Sequence, residues 1–365
     1  MPKLPHILIR LYKCVLRAIP RSLSICVWLL KVMLPISLAV RVLQHVGFIN
    51  WLAGWLTPVF SYIGLSGDSA FVFLTSIFLP LYPTIAVMTT LTITLREATI
   101  LAVMCLVSHN LPVECSVAHK TGSPFGKIVA FRIFMSFASA IVLNWLLPQS
   151  DIPFSFMSMG GTEATTWGML FTQWLSSSLV LIVTIVLIVT ALMVLQRVLE
   201  EFGWMHRIAH ILAPLMRLFG LPSGCSLLWL TGNVVGMAYG AAIMIDEVEQ
   251  GRLTRDEANL VNHHLGVSHS LLEDTMLFVA MGISFWWIFL TRLALAMVAV
   301  WTMRGMKELR VKSEEGRVKR EKGTVKDCAF FISFYFMTNN KQRVLRTRCC
   351  CFILAVHYSF TGRMV

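Results

Sequence analysis

Two short polar strings carry the side chains in this sequence that could do chemistry: residues 107–114, VSHNLPVE, and residues 267–274, VSHSLLED. Each sets a histidine, hydroxyl or amide groups and a carboxylate close together inside an apolar stretch. An imidazole beside a carboxylate can hold a proton, a cation or a metal ion jointly. In the second string His269 and Glu273 stand four apart, so a continuous helix would put them on one face. In the first string Pro112 would break a helix, and His109 and Glu114 could converge only through an unwound segment. Ser108, Asn110, Ser268 and Ser270 supply neutral groups of the kind that orient a polar solute, and Asp274 adds a further carboxylate. Carboxyl groups in apolar surroundings favour the neutral acid unless a cation pairs with them, which suits proton coupling.

The second string is a copy of the first. Thr94, Glu97-Ala98, Ser108-His109 and Arg132 recur as Thr254, Glu257-Ala258, Ser268-His269 and Arg292 at an offset of 160. Earlier in the chain, Pro58 and Gly64-Leu65 match Pro214 and Gly220-Leu221 at 156, and Val42-Leu43-Gln44 matches Val194-Leu195-Gln196 at 152. An offset that grows by small steps is the mark of a duplication that has taken insertions.

The elements that must position these strings are helices in a membrane. The chain of 365 residues is 56% apolar and 14% charged, with a mean hydropathy of +0.72, far from the roughly 25% charge of a soluble domain. Apolar runs at 23–43, 128–147, 175–195 and 283–302 are long enough to cross a hydrocarbon core. Two further runs read as crossings: 70–95, interrupted by Pro80 and Pro83, and 227–245, where Gly232, Gly236 and Gly240 allow close packing. The aromatic segment 48–62 reads as a surface helix, and the two motif segments as re-entrant. Lys31 and Arg41 in the first run are charges within a span, which marks them for a functional role; the alternative is that Lys31 snorkels to the inner surface.

The net charge of +12 reports topology and not nucleic acid, because the basic residues gather at the two ends and beside apolar runs. Residues 149–173 hold no Lys or Arg and carry Asp151 and Glu163, so they belong outside, while the basic segment 304–326 belongs inside. The fold class is therefore an all-α polytopic membrane protein of two inverted repeats, each with three spans and a re-entrant segment. A basic interfacial segment (1–21) precedes the first repeat (22–148), an external linker (149–174), the second repeat (175–304) and a basic cytoplasmic tail (305–365). Both termini face the cytoplasm, and Lys120 and Glu257 fall on opposite sides of the membrane.

No HExxH, phosphate loop, dinucleotide fingerprint or Ser/His/Asp set is present, so the sequence reads as no enzyme and calls for no cofactor. Its partners are lipid and a small-molecule or ion substrate, with no nucleic acid; self-association stays open. Cys14, Cys26, Cys105, Cys115 and Cys225 are isolated and read as small buried hydrophobes. His263 and His264 precede the second string, and one of them could join His269 in a metal site.

The paired SHNLPVE and SHSLLED segments, the Glu-Ala turns before them, Gly122 and Gly282 after them and the duplicated layout resemble the Gate, or nucleoside recognition, domain membrane proteins. That family is related to spore maturation proteins A and B and to the membrane part of the bacterial ferrous iron transporter B. The resemblance covers about residues 23–302 as two Gate copies. It implies a bacterial inner-membrane transporter or permease, for a nucleoside-like solute by the domain's name or a divalent metal by the iron transporter. The chain departs from the latter: it has no GTPase domain, no Cys lies in either motif, and Cys115 is matched by Thr275. GTP-gated iron uptake and a thiolate-lined path are therefore not carried over. The spore maturation proteins suggest a third reading, a non-transporting scaffold or sensor. In the transport reading His109, Glu114, His269 and Glu273 form the polar core, and Ser108, Asn110, Ser268, Ser270 and Asp274 orient the solute.

The tail after Gly323, with its Cys349, Cys350 and Cys351 triplet, has no repeat counterpart and reads as a spurious or frameshifted end. A chain ending at Lys322 is expected to insert and to act as the full chain does; loss of folding or activity in that truncation would refute this.

Overall fold

A computed structural model describes residues 4–154 and 166–338. Glu163 and the three consecutive cysteines lie outside that range. The described residues are helical throughout, with one isolated bridge between Thr94 and Pro153. The first repeat contributes α1 (Leu4–His45), α2 (Phe48–Tyr62), α3 (Ser69–Phe78), α4 (Leu81–Met88), α5 (Leu95–Ser108), α6 (Leu111–Lys120) and α7 (Phe125–Leu146). The second returns the same order as α8 (Trp167–Glu201), α9 (Trp204–Leu218), α10 (Ser226–Val234), α11 (Met237–Glu249), α12 (Arg255–Ser268), α13 (Glu273–Ala280) and α14 (Phe285–Thr338). Each repeat is a long helix, a short helix, two broken pairs and a long helix.

The same local devices recur in both copies. Gly47 and Gly203 turn the chain out of the long helix in the left-handed region, at φ 78° and 65°, where a Cβ would be strained. Thr94 and Thr254 open α5 and α12 with reciprocal capping boxes to Glu97 and Glu257, which explains the repeated Glu-Ala pairs.

Among the described residues four helices are long and apolar enough to cross a membrane: Ile7–His45, Phe125–Leu146, Trp167–Glu201 and Phe285–Glu315. The helix α1 runs unbroken through Pro20 and Pro35, from the basic segment before residue 22 into the first apolar run. Contacts divide the chain into residues 1–303 and residues 304–365. The helix of α14 reaches Thr338, past the expected start of the tail.

In the first repeat the motif helices do not double back on each other but follow α7. Arg96, at the start of α5, donates from Nη2 to the Asn144 carbonyl (2.8 Å) and side chain near the end of α7. Midway, Ser136 Oγ donates to Met104 O (2.9 Å), and α6 joins the start of α7 through the 121–124 turn. The α5–α6 pair thus runs the full length of α7, about 33 Å for 22 residues at 1.5 Å each, with a bend of only 40°. The segments that fold back are the two runs read as crossings. A Cβ on Gly240 of α11 would lie 3.1 Å from Gly232 Cα of α10, whereas eight residues along a straight helix span about 12 Å. The turn falls at Gly236, φ 102°, so the repeated small residues allow two antiparallel arms to touch. In the first repeat α4 packs back along α3 after the extended Leu79-Pro80 step.

Hydropathy misassigned these segments because it measures apolar length, and each hairpin supplies nearly a span's worth while the motif helices are diluted by polar residues. The helix α5 is buried on every side from Ala98 to Ser108, so it occupies the centre of the bundle.

One topological expectation reverses. A Cβ on Gly122 would lie 3.5 Å from Arg255 O, and Ser123 Oγ donates to Asn259 Oδ1 at 2.7 Å, so the end of α6 sits beside the start of α12. With single cysteines at positions 120 and 257, membrane-impermeant labelling is expected to modify both from the same side. Labelling from opposite sides would contradict this path.

Candidate functional site

The site is built from two helix breaks. Helix α5 stops at Ser108, His109 is extended, Asn110 takes φ 52°, and α6 begins at Leu111 with Pro112 in its first turn. Proline needs no N–H acceptor there, so Pro112 starts the second half and does not break the first. Helix α12 stops at Ser268, His269 is extended, and Ser270 takes φ 47° before α13. Both motifs break in the same way, although only one contains proline. Asn110 N–H donates to Ser76 O (2.8 Å), and Ser270 N–H donates to Gly232 O (3.0 Å), so each break rests on the end of a hairpin arm.

Each break leaves carbonyls without helical partners, and a buried arginine takes them. Arg132 of α7 donates to Val107 O (2.8 Å) and His109 O (3.2 Å). Arg292 of α14 donates to Val267 O (2.9 Å) and His269 O (2.6 Å). Both guanidiniums are fully buried, and positive charge at a helix C-terminus also complements its dipole.

The histidines cap their own helices. His109 Nδ1 lies 3.2 Å from both Cys105 O and Leu106 O, and His269 Nδ1 lies 2.8 Å from Leu265 O. A carbonyl only accepts, so each Nδ1 carries hydrogen and each neutral ring presents a lone pair at Nε2. The two Nε2 atoms face one another at 3.4 Å. Glu114 reaches between them, with Oε1 3.3 Å from His109 Nε2 and Oε2 3.2 Å from His269 Nε2. Arg132 Nη1 is 2.7 Å from Glu114 Oε2, an ion pair in distance with its N–H angled off the line. Asp274, one methylene shorter at the matching position, places Oδ2 3.8 Å from His109 Nε2. Neither that oxygen nor Arg292 Nη1 has a hydrogen-bond partner among the described residues. Lone pairs that face one another this closely repel, and one cation among them, a proton or a metal ion, turns the repulsion into attraction.

The structure therefore brings together His109, His269, Glu114 and Asp274. It does not bring Glu273, because α12 ends at Ser268 and the expected four-residue face between His269 and Glu273 does not exist. Glu273 instead accepts from Tyr82 Oη at 3.1 Å. Ser108 and Ser268 do not face the cluster but donate to Met104 O (2.8 Å) and His264 O (3.0 Å) of their own helices. Asn110 and Ser270 shape the breaks through their backbones. His264 meets Trp229 Nε1 (3.1 Å) and Ser268 Oγ (2.9 Å), and His263 meets Asn259 O (2.7 Å), so neither extends the site. The five isolated cysteines are buried and free.

Arg132, Arg292 and Tyr82 were not among the expected site residues. The signal for the arginines was present: each is a lone charge in an apolar crossing, at matched positions of the two repeats. Nothing local marks Tyr82.

These features define an all-helical multi-pass membrane protein with a buried ionisable cluster where its two repeats meet. The family model for Gate, nucleoside recognition, matches residues 182–306, which take in His269, Asp274 and Arg292. The uncharacterized membrane protein YvoD of Bacillus subtilis (strain 168) is 34% identical over 270 residues, 73% of this chain and 86% of that protein. The chain belongs to this family of Gate-domain membrane proteins. The structure of CNTnw in an inward-facing substrate-bound state is similar over 82% of this chain and 86% of that one, at 13% identity and a TM-score of 0.42.

Removing Arg132 strands two carbonyls and a carboxylate, whereas Tyr82→Phe removes a single hydrogen bond. Arg132→Leu is expected to destabilise the folded protein by about 3–5 kcal/mol, and Tyr82→Phe by about 1 kcal/mol. Unfolding of the purified protein in mixed micelles measures both.

Proposed function

We propose that this protein is a transporter of the bacterial inner membrane, with both termini cytoplasmic, that moves a small solute or ion past the two helix breaks. One observation carries the reading: two broken helices and two hairpin ends converge on a buried cluster of two histidines, two carboxylates and two arginines. Non-helical backbone at membrane depth is stable only where protein re-satisfies it or water reaches it. Ionisable groups there are costly enough to mark a substrate or ion path. Antiparallel repeats with broken helices meeting near the midplane are the arrangement of many secondary transporters. A cavity of about 330 Å³ between α1 and α8 adds an approach, reaching from Arg17 and Arg21 to Val235 at the hairpin end and to Glu273, beside Asp274.

The need for a cation between the two Nε2 atoms supports proton or cation coupling. The family's description makes nucleosides the first organic solutes to try. Proteoliposomes carrying the purified protein are expected to take up at least one of uridine, adenosine, a small carboxylate or Zn²⁺ above protein-free vesicles. His109→Ala and His269→Ala should each return uptake to the protein-free level. Folded protein that moves none of these would favour a scaffold.

A further inference from the structure

We propose that His109, His269, Glu114 and Asp274 form a binding site for a divalent transition-metal ion of the zinc class, entered transiently as cargo or coupling ion. The ion's role rests on the transport reading; the site rests on geometry alone.

The first support is the spacing of the donors. A tetrahedral ion with Zn–N and Zn–O bonds of about 2.0–2.2 Å holds its ligand atoms about 3.3–3.6 Å apart. The observed separations are 3.4 Å between the two Nε2 atoms, 3.2 and 3.3 Å from these to the Glu114 oxygens, and 3.8 Å from His109 Nε2 to Asp274 Oδ2. His109, His269 and Asp274 offer three ligand atoms within 4.8 Å of one another, all in buried residues.

The second support is the shell behind the donors. Metal-binding histidines give their other ring N–H to a backbone carbonyl or carboxylate, which fixes the tautomer and aims the lone pair. Both rings do so here, towards Cys105 and Leu106 in one repeat and Leu265 in the other. Arg132 Nη1, 2.7 Å from Glu114 Oε2, holds that carboxylate by charge. The third support is the unfilled valence of Asp274 Oδ2, a buried oxygen aimed at His109 without a hydrogen-bond partner among the described residues.

The charge of the cluster sets the character of the site. Two guanidiniums already balance two carboxylates, so a divalent ion adds uncompensated positive charge. Such a site favours exchange over permanent retention, as a carrier requires and a structural zinc centre does not.

The test uses the full chain in detergent, titrated with Zn²⁺ by calorimetry and with Co²⁺ by visible absorption. The expected result is one ion per chain, with the intense bands of tetrahedral Co²⁺. His109→Ala and His269→Ala should each weaken binding at least about tenfold, and the exposed control His210→Ala should leave it unchanged. Asp274→Asn, nearly the same in size, keeps the test valid if an alanine variant fails to fold; it should also weaken binding. Folded wild-type protein that binds no metal, or binding undiminished in Asp274→Asn and the histidine variants, would overturn the site and leave the shared cation a proton. Solute uptake without metal binding would refute this inference alone. Metal binding by a protein that moves nothing would refute the transport reading alone.

Discussion

The whole arrangement depends on satisfying the carbonyls that two helix breaks release in an apolar interior. In water such groups would be hydrated; inside a membrane bundle each orphan costs several kcal/mol. Arg132 and Arg292 meet that demand from neighbouring long helices, each binding the carbonyls one residue before and one residue within the break. The breaks, the long helices and the hairpin ends are thereby fastened together, for the residues in the left-handed region donate in turn to Ser76 and Gly232 of the hairpin arms. A break that could have been a defect becomes the junction of three elements in each repeat.

That solution creates the chemistry. Glu114 pairs with the buried Arg132, and Asp274 stands at the matching position of the second repeat. The extended histidines cap their helices through Nδ1 and so turn Nε2 towards the opposite repeat. Helix ends, buried charge and the dyad of the repeat place each residue of the cluster. The cation requirement at the centre then follows from tautomers that backbone carbonyls impose.

Much of this was legible in the sequence, and the failures have physical causes. The helical membrane class and the repeated order of helices were visible from hydropathy and offsets, and the polar strings named His109, His269 and Glu114, which the structure brings together. The exchange of roles between hairpins and crossings was not, because hydropathy counts apolar length without direction and a Gly-rich hairpin resembles a packed span. The choice of Glu273 over Asp274 came from assuming a continuous helix through His269. Aligning the repeats by offset alone would have paired Glu114 with Asp274, and the same alignment singles out both arginines. Symmetry was the stronger guide wherever it competed with local periodicity.

The pseudo-symmetry is also incomplete where it matters most. Glu114 is long enough to touch both imidazoles and Arg132 at once, and its side chain remains 13% exposed. Asp274 is one methylene short: it stays 3.8 Å from His109, and Arg292 keeps an unmatched donor. The aspartate leaves the second half without the ion pair that Arg132 makes with Glu114, so in the transport reading proposed above Asp274 is the carboxylate placed to change partner when an ion or proton arrives.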